Sequence, residues 1–233
     1  MKEKTEEKTK ESLILAIDTS GNTASAALMN DYIVMAESSV TLTDLRGGGP
    51  SGRKTHSETL MPMIEHLFKI TGLSLNKIDL IACTCGPGSF TGLRIGAATA
   101  KGIAFAINKP LIAVPTLDAL AYTVDKNLPT GTWVVPLMDA RRGQVYSAFY
   151  QDGKRVSDYL AEDVNDVMEI LKAKTGSNKT VSSKVIFVRD GLTASSVGAV
   201  ALGMPVADES EFSLMYIRKP QAEREKEEKE ASK

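Results

Sequence analysis

Leu13-Ile14-Leu15-Ala16-Ile17-Asp18-Thr19-Ser20-Gly21 and Trp133-Val134-Val135-Pro136-Leu137-Met138-Asp139-Ala140-Arg141-Arg142-Gly143 occupy corresponding places in the two halves of this chain. Each is an apolar run of strand length that ends on an aspartate and a glycine-containing turn. Taken singly, each is satisfied by a hairpin in which Asp and Gly are ordinary turn formers. As a matched pair they offer backbone N–H groups, hydroxyls and carboxylates to a phosphate and its metal. Asp18, Thr19, Ser20, Asp139 and Gly143 are therefore the candidate nucleotide-binding residues.

Outward from the first run, residues 24–29 and 33–38 read as two further short strands, set off by turn residues at 20–22 and 30–31. A Gly-rich stretch follows, then an apolar-periodic helix over about 57–71, a strand at 78–85 and a helix over about 91–107. A short strand at 111–114 and a helix from Thr116 complete this half. Outward from the second run, strands at 144–150 and 155–159, a helix near 163–174, a strand at 185–189 and a helix near 193–202 repeat the order. Two βββαβα halves in tandem imply an α/β, actin-like (ASKHA, ribonuclease-H-like) duplicated fold of two lobes around a cleft. On element order alone, two unrelated α/β units are the alternative. The expected lobes are 13–115 and 116–220. Charged tails at 1–12 and 221–233 mix Lys with Glu and have no apolar surface to bury.

With 233 residues and 42% hydrophobic content, the chain can bury a core in one large domain or two small lobes. Its 28 basic and 29 acidic residues leave a net charge of −1, so no global field recruits nucleic acid and any RNA contact is local. Cys83 and Cys85 share a strand face without a second pair to complete a zinc site, and read as reduced core residues. His56 and His66 are too far apart for a helical ligand pair, so no metal site is expected. Nothing approaches the ~20 apolar residues of a membrane span, and the start of the chain has no signal-peptide pattern. A soluble, cytoplasmic protein without membrane contact is expected.

Gly86-Pro87-Gly88-Ser89-Phe90-Thr91-Gly92-Leu93-Arg94 lies between an apolar strand and a helix, where N–H groups converge favourably for anions. It is not a Walker loop, since no Gly-Lys-Ser/Thr follows. The helix after it carries Gly92, Gly96 and Gly102 among many alanines, with only Arg94 and Lys101 charged. Three helical glycines cost about 1 kcal/mol each relative to alanine, so close backbone approach on both helix faces is needed to offset them. The preceding helix also has more apolar positions than one stripe can hold. Leu60, Met61, Ile64, Leu67, Phe68, Gly92, Ile95, Gly96, Thr99 and Ile103 are the expected partner-interface residues; burial of both helices within the chain is the alternative.

Taken together, these segments resemble the TsaB (YeaZ) family, related to the catalytic subunit TsaD. Leu15-Ala16-Ile17-Asp18-Thr19-Ser20 is similar to the family's opening strand, and His56-Ser57-Glu58 with Leu60-Met61-Pro62 to its first helix start. Cys85 followed by the run from Gly86 to Gly96 resembles its most specific signature, which Ala100-Lys101-Gly102-Ile103-Ala104 continues. Thr116-Leu117-Asp118-Ala119-Leu120-Ala121 and Asp139-Ala140-Arg141-Arg142-Gly143-Gln144-Val145-Tyr146 also fit. The resemblance implies a non-catalytic partner subunit of TsaD, inactive alone, that pairs through the helices at about 57–70 and 91–107. TsaD would then transfer a threonylcarbamoyl group to adenosine 37 of transfer RNAs that read codons beginning with A. The ATPase TsaE and, through the complex, transfer RNA are further implied partners. A homodimer is implied when TsaD is absent, and at most weak ATP or ADP with Mg at or near the complex interface.

Two departures separate this chain from TsaD and from actin-like ATPases. Where TsaD carries Asn-His-x-x-x-His, this chain has Pro115-Thr116-Leu117-Asp118-Ala119-Leu120, with no imidazole to hold a metal. In place of a paired-glycine adenosine turn there is only Asp190-Gly191-Leu192. The rival reading, a stand-alone ATP-dependent phosphotransferase using the Asp18 and Asp139 turns, lacks that turn and a general base. A metallopeptidase lacks its ligands. Arg46, Arg53 and Lys54, in the Gly-rich stretch at 41–55, are candidate cations for transfer RNA.

Overall fold

Uninterrupted apolar runs make strands buried on both faces, and the first of them, β1 (Leu13–Asp18), sits at the centre of its sheet. β2 (Thr23–Asn30) and β3 (Ile33–Thr41) return antiparallel, with β3 at the edge. After helix α1 (His56–Thr71) and a 3₁₀ turn at Leu75–Lys77, β4 (Leu80–Gly86) pairs parallel to β1. After helix α2 (Phe90–Ile107), β5 (Leu111–Pro115) pairs parallel to β4. The order β3-β2-β1-β4-β5 is ribonuclease-H-like. The computed structural model describes residues 12–42, 55–124, 128–175, 185–205 and 212–217. The cations Arg46, Arg53 and Lys54 and nearly all of both expected tails lie outside the described residues.

The second half repeats this order with shorter pieces. Helix α3 (Thr116–Tyr122) leads to β6 (Trp133–Arg141), which pairs antiparallel with β7 (Gln144–Ser147) and β8 (Tyr150–Gln151). Leu137 opposite Ser147 and Val134 opposite Tyr150 share one register, so β7 and β8 are a single strand interrupted at Ala148 and Phe149. The expected strand at 155–159 is corrected to β9 (Lys154–Arg155) and β10 (Leu160–Asp163), on β8 and β7 respectively. Between them the Phe149 N–H donates to Ser157 Oγ at 2.9 Å and the Val156 N–H to Phe149 O at 2.8 Å, which replaces the regular ladder. Helix α4 (Val164–Thr175), β11 (Val185–Val188), parallel to β6, and helix α5 (Ala194–Ala201) complete the repeat.

Packing does not follow chain order. One face of the first sheet is covered by α1 and α2, whose Leu60, Leu67, Ala97 and Ala100 join Leu15, Ile17 and Ile81. The other face is covered by α5, which the division at residue 115 had placed in the second lobe. Its Ala194, Val197 and Ala201 pack on Ile14, Ala16 and Met29, and Gly198 permits the approach: a Cβ there would lie 2.4 Å from Met29 Sδ. The first sheet's edge also holds α5, because the Glu37 carboxylate accepts the Ser195 N–H at 2.8 Å and its hydroxyl at 2.9 Å. Residues 212–217 likewise return to the first sheet: Phe212 is buried in its core and the Met215 N–H donates to Cys85 O at 2.7 Å. The second sheet has its own smaller core, in which Val167 and Leu171 of α4 meet Val135, Leu137 and Phe149. The result is a two-lobe, actin-like α/β fold with α3 and α5 between the sheets. No described helix is long and apolar enough to cross a membrane.

Candidate functional site

The Asp18 turn is closed by its own chain. Asp18 is buried, and its Oδ1 accepts the Ser20 N–H at 3.0 Å and the Thr84 hydroxyl at 2.9 Å. Burial raises its pKa, and the hydrogen bonds from Ser20 and Thr84 only partly oppose that. Thr19 Oγ1 donates to Gly92 O at 2.8 Å, and the Ser89 N–H donates to Ser20 O at 2.7 Å. The glycines of the loop and helix make room for this contact. A Cβ on Gly92 would lie 2.1 Å from Thr19 O, and one on Gly88 2.4 Å from Ser20 O. The loop that resembled an open anion cradle is thus folded onto the first turn.

Asp139 is exposed and accepts the Arg141 N–H at 2.8 Å. Arg141, Arg142 and Gly143 take consecutive left-handed conformations, with φ of 65°, 56° and 79°. No hydrogen bond among the described residues joins this hairpin to the Asp18 turn. A Mg-bound nucleotide needs a carboxylate free to face the metal. Asp18 is instead turned into its own backbone and raised toward its neutral form. With Oδ1 engaged by Ser20 and Thr84 and the side chain buried, the Asp18 turn in this arrangement presents no accessible carboxylate, which weighs against a tight Mg–nucleotide site there.

No three His, Cys, Asp or Glu side chains cluster among the described residues. Cys83 and Cys85 both sit in the first sheet's core as free thiols, as their strand phase implied. Burial pushes Cys83 up and Cys85 to about 12, so neither forms a reactive thiolate near neutral pH.

The helix faces divide differently from the sequence expectation. Leu60, Ile64, Leu67 and Ile103 are buried against the sheet, and Gly92 and Gly96 against Thr19; these six are corrected from interface to core. A Cβ on Gly96 would lie 2.2 Å from Thr19 Oγ1. Met61, Phe68, Ile95 and Thr99 keep accessible surface. The exposed face of α2 is instead Ala98, Gly102, Phe105 and Ala106, with Arg94 and Lys101 beside them. Phe105 is 83% exposed. At the start of the helix, Tyr216 extends this face: its ring lies 5.5 Å from that of Phe90, over which the Arg94 guanidinium stacks at 3.9 Å. The helical phase of Gly92, Gly96, Ala100 and Ala104 marks the inward ridge. With small residues all round, that phase does not declare itself in the sequence.

A family model described as TsaD: tRNA N6-adenosine threonylcarbamoyltransferase matches residues 50–208. The chain is 34% identical over 165 residues to the tRNA threonylcarbamoyladenosine biosynthesis protein TsaB of Bacillus subtilis (strain 168), covering 69% of this chain and 66% of that protein. The chain belongs to the TsaB/YeaZ family. Another TsaB, from Escherichia coli (strain K12), is 38% identical over 139 residues, 59% of this chain and 54% of its own length. This TsaB-family chain therefore spans less than two thirds of the curated relatives it matches. YeaZ from Pseudomonas aeruginosa superposes with a TM-score of 0.69 at 22% identity, covering 88% of this chain and 100% of that one, and shows the shared fold.

Proposed function

We propose that this chain acts in the formation of N6-threonylcarbamoyladenosine as the non-catalytic partner subunit of TsaD. The observation that carries this reading is the exposed face of α2, where Phe105 stands uncovered among Ala98, Gly102 and Ala106. An aromatic anchor on a backbone bare enough for a second helix to approach closely suits helix-on-helix docking. Met61 and Ile70 of α1 add exposed apolar surface. TsaD would perform the transfer to adenosine 37 of transfer RNAs that read codons beginning with A, and TsaE and the transfer RNA would engage the assembled complex. ATP or ADP with Mg belongs, in this proposal, at or near the shared surface, since the Asp18 turn does not fit it tightly. Without TsaD the same face would pair two copies of the chain.

Sedimentation of the chain with its cognate TsaD, wild type against Phe105→Glu, tests the docking. Assembly by wild type, and assembly weakened about thirtyfold in the folded variant, is the expected result. A wild-type chain that ignores TsaD overturns the partner reading; a variant that assembles equally well overturns the face. Quantifying the modified nucleoside in separated transfer RNAs after reconstitution with TsaD and TsaE tests the role and the codon class.

A further inference from the structure

A second feature lies at the ends of the sheets away from Asp18 and Asp139: a cavity of about 660 Å³ between the lobes. Its second-sheet wall includes Val134, near the start of β6 and about 16 Å from Asp139 at roughly 3.3 Å per residue. On the first sheet it reaches Tyr32, next to the Leu13–Asn30 pair where β1 begins, whereas Asp18 ends that strand. Between these lie Ala121 and Tyr122 of α3 and Ala199 and Val200 of α5. Such a cavity has the size of ordinary small-molecule sites.

Its polar wall is built around Asp118. Oδ1 accepts the hydroxyls of Tyr150 and of Tyr159, the latter at 2.9 Å. Burial first, and the Asp118 carboxylate second, push both phenols up, so they stay neutral donors. Arg155 stands 3.9 Å from Oδ1, too long for a hydrogen bond. Its guanidinium is instead stacked 4.2 Å from the Tyr159 ring centre and donates to Ser157 O at 2.7 Å. Oδ2 accepts no hydrogen bond among the described residues, and the Asp118 side chain keeps 26% of its surface accessible. Among the described lining residues, Asp118 and Asp152 against Arg155 leave one negative charge in excess. An interlobe tie alone would need neither the cavity nor an open carboxylate oxygen.

We propose that this cavity binds a small organic amine, its apolar body held between α3, α5 and the second sheet and its N–H groups donating to Asp118 Oδ2. An ammonium head matches the excess charge and makes a charge-assisted hydrogen bond, and the tyrosine-rich lining favours a cation further. A carboxylate of the same shape would meet the same walls with the wrong charge. Binding here touches both lobes and is independent of the α2 face.

Phenethylamine and its isostere phenylacetate, titrated into the full chain and followed by amide NMR, test this. Saturable binding of the amine below about 10 mM, with shifts at Ala121, Ala199 and Val200, is expected, the carboxylate binding at least about tenfold more weakly. Asp118→Asn should erase the preference, and Val200→Trp, which fills the cavity and leaves the carboxylate untouched, should abolish amine binding in a chain of unchanged circular dichroism. Absence of saturation, equal affinity for the carboxylate, or shifts confined to other surfaces would each overturn the assignment.

Discussion

The two faces of α2 are made of the same kinds of residue and do opposite things. On the inward face Gly92 and Gly96 have no room for a methyl group, because Thr19 occupies it. On the outward face a Cβ on Gly102 would meet nothing within 4 Å, and Phe105 points away from the core. A helix pays for glycine in backbone entropy on either face, but only the inward face is compensated within the chain. In the proposed complex, the outward glycine is where the backbone of a second molecule would supply that compensation.

The largest way to break that comparison is Gly92→Ala. Its methyl would lie 2.1 Å from a backbone oxygen that cannot rotate away, so urea unfolding should show a loss of about 3 kcal/mol. Phe105→Glu should leave stability within about 0.5 kcal/mol of wild type while weakening TsaD assembly about thirtyfold, the ~2 kcal/mol of a buried aromatic anchor. Sedimentation and thermal unfolding on one preparation separate the two effects. Gly102→Ala sharpens the contrast: the free chain should gain about 1 kcal/mol of stability, and the complex should weaken. Equal affinity for TsaD would mean that no backbone approaches at Gly102.

The smallest effect lies beneath the inward face. Burial holds the Asp18 carboxyl above its usual 3.8 in the folded chain. The native state therefore keeps this proton to higher pH than the unfolded chain, so stability falls as pH rises from about 4 through the raised value and then levels. Asp18→Asn keeps an acceptor for Ser20 and Thr84 and should flatten that limb in melts recorded from pH 4 to 7. A slope identical to wild type would remove Asp18 as its source.

Strands with unbroken apolar runs were readable because their burial on both faces leaves no other composition. β1 has the expected bounds, and β5 differs by one residue. The strand expected at 155–159 was not readable as it stands, since its ladder is broken by Ser157 and Phe149, partners distant from the local alternation. Of the candidate nucleotide residues, Asp18 ends β1 and Asp139 lies within β6, while Thr19, Ser20 and Gly143 lie outside the strands, and their hydrogen bonds were not foreseeable. Thr84 and Gly92, which close the Asp18 turn, come from another strand and a helix. The Asp118 cluster gave no signal at all, because Tyr150 and Tyr159 lie far from Asp118 in the chain and tyrosines at strand positions read as ordinary core residues.

By itself the sequence determined the order of elements, the duplicated βββαβα plan and the family signature, all of which rest on local periodicity and turn chemistry. Only the tertiary structure decided that α5 covers the first sheet, that Gly92 and Gly96 face Thr19 while Phe105 faces out, and that Asp18 is enclosed. Those outcomes depend on which surfaces meet, and a helix of small residues carries no periodic mark to say which of its faces will be covered.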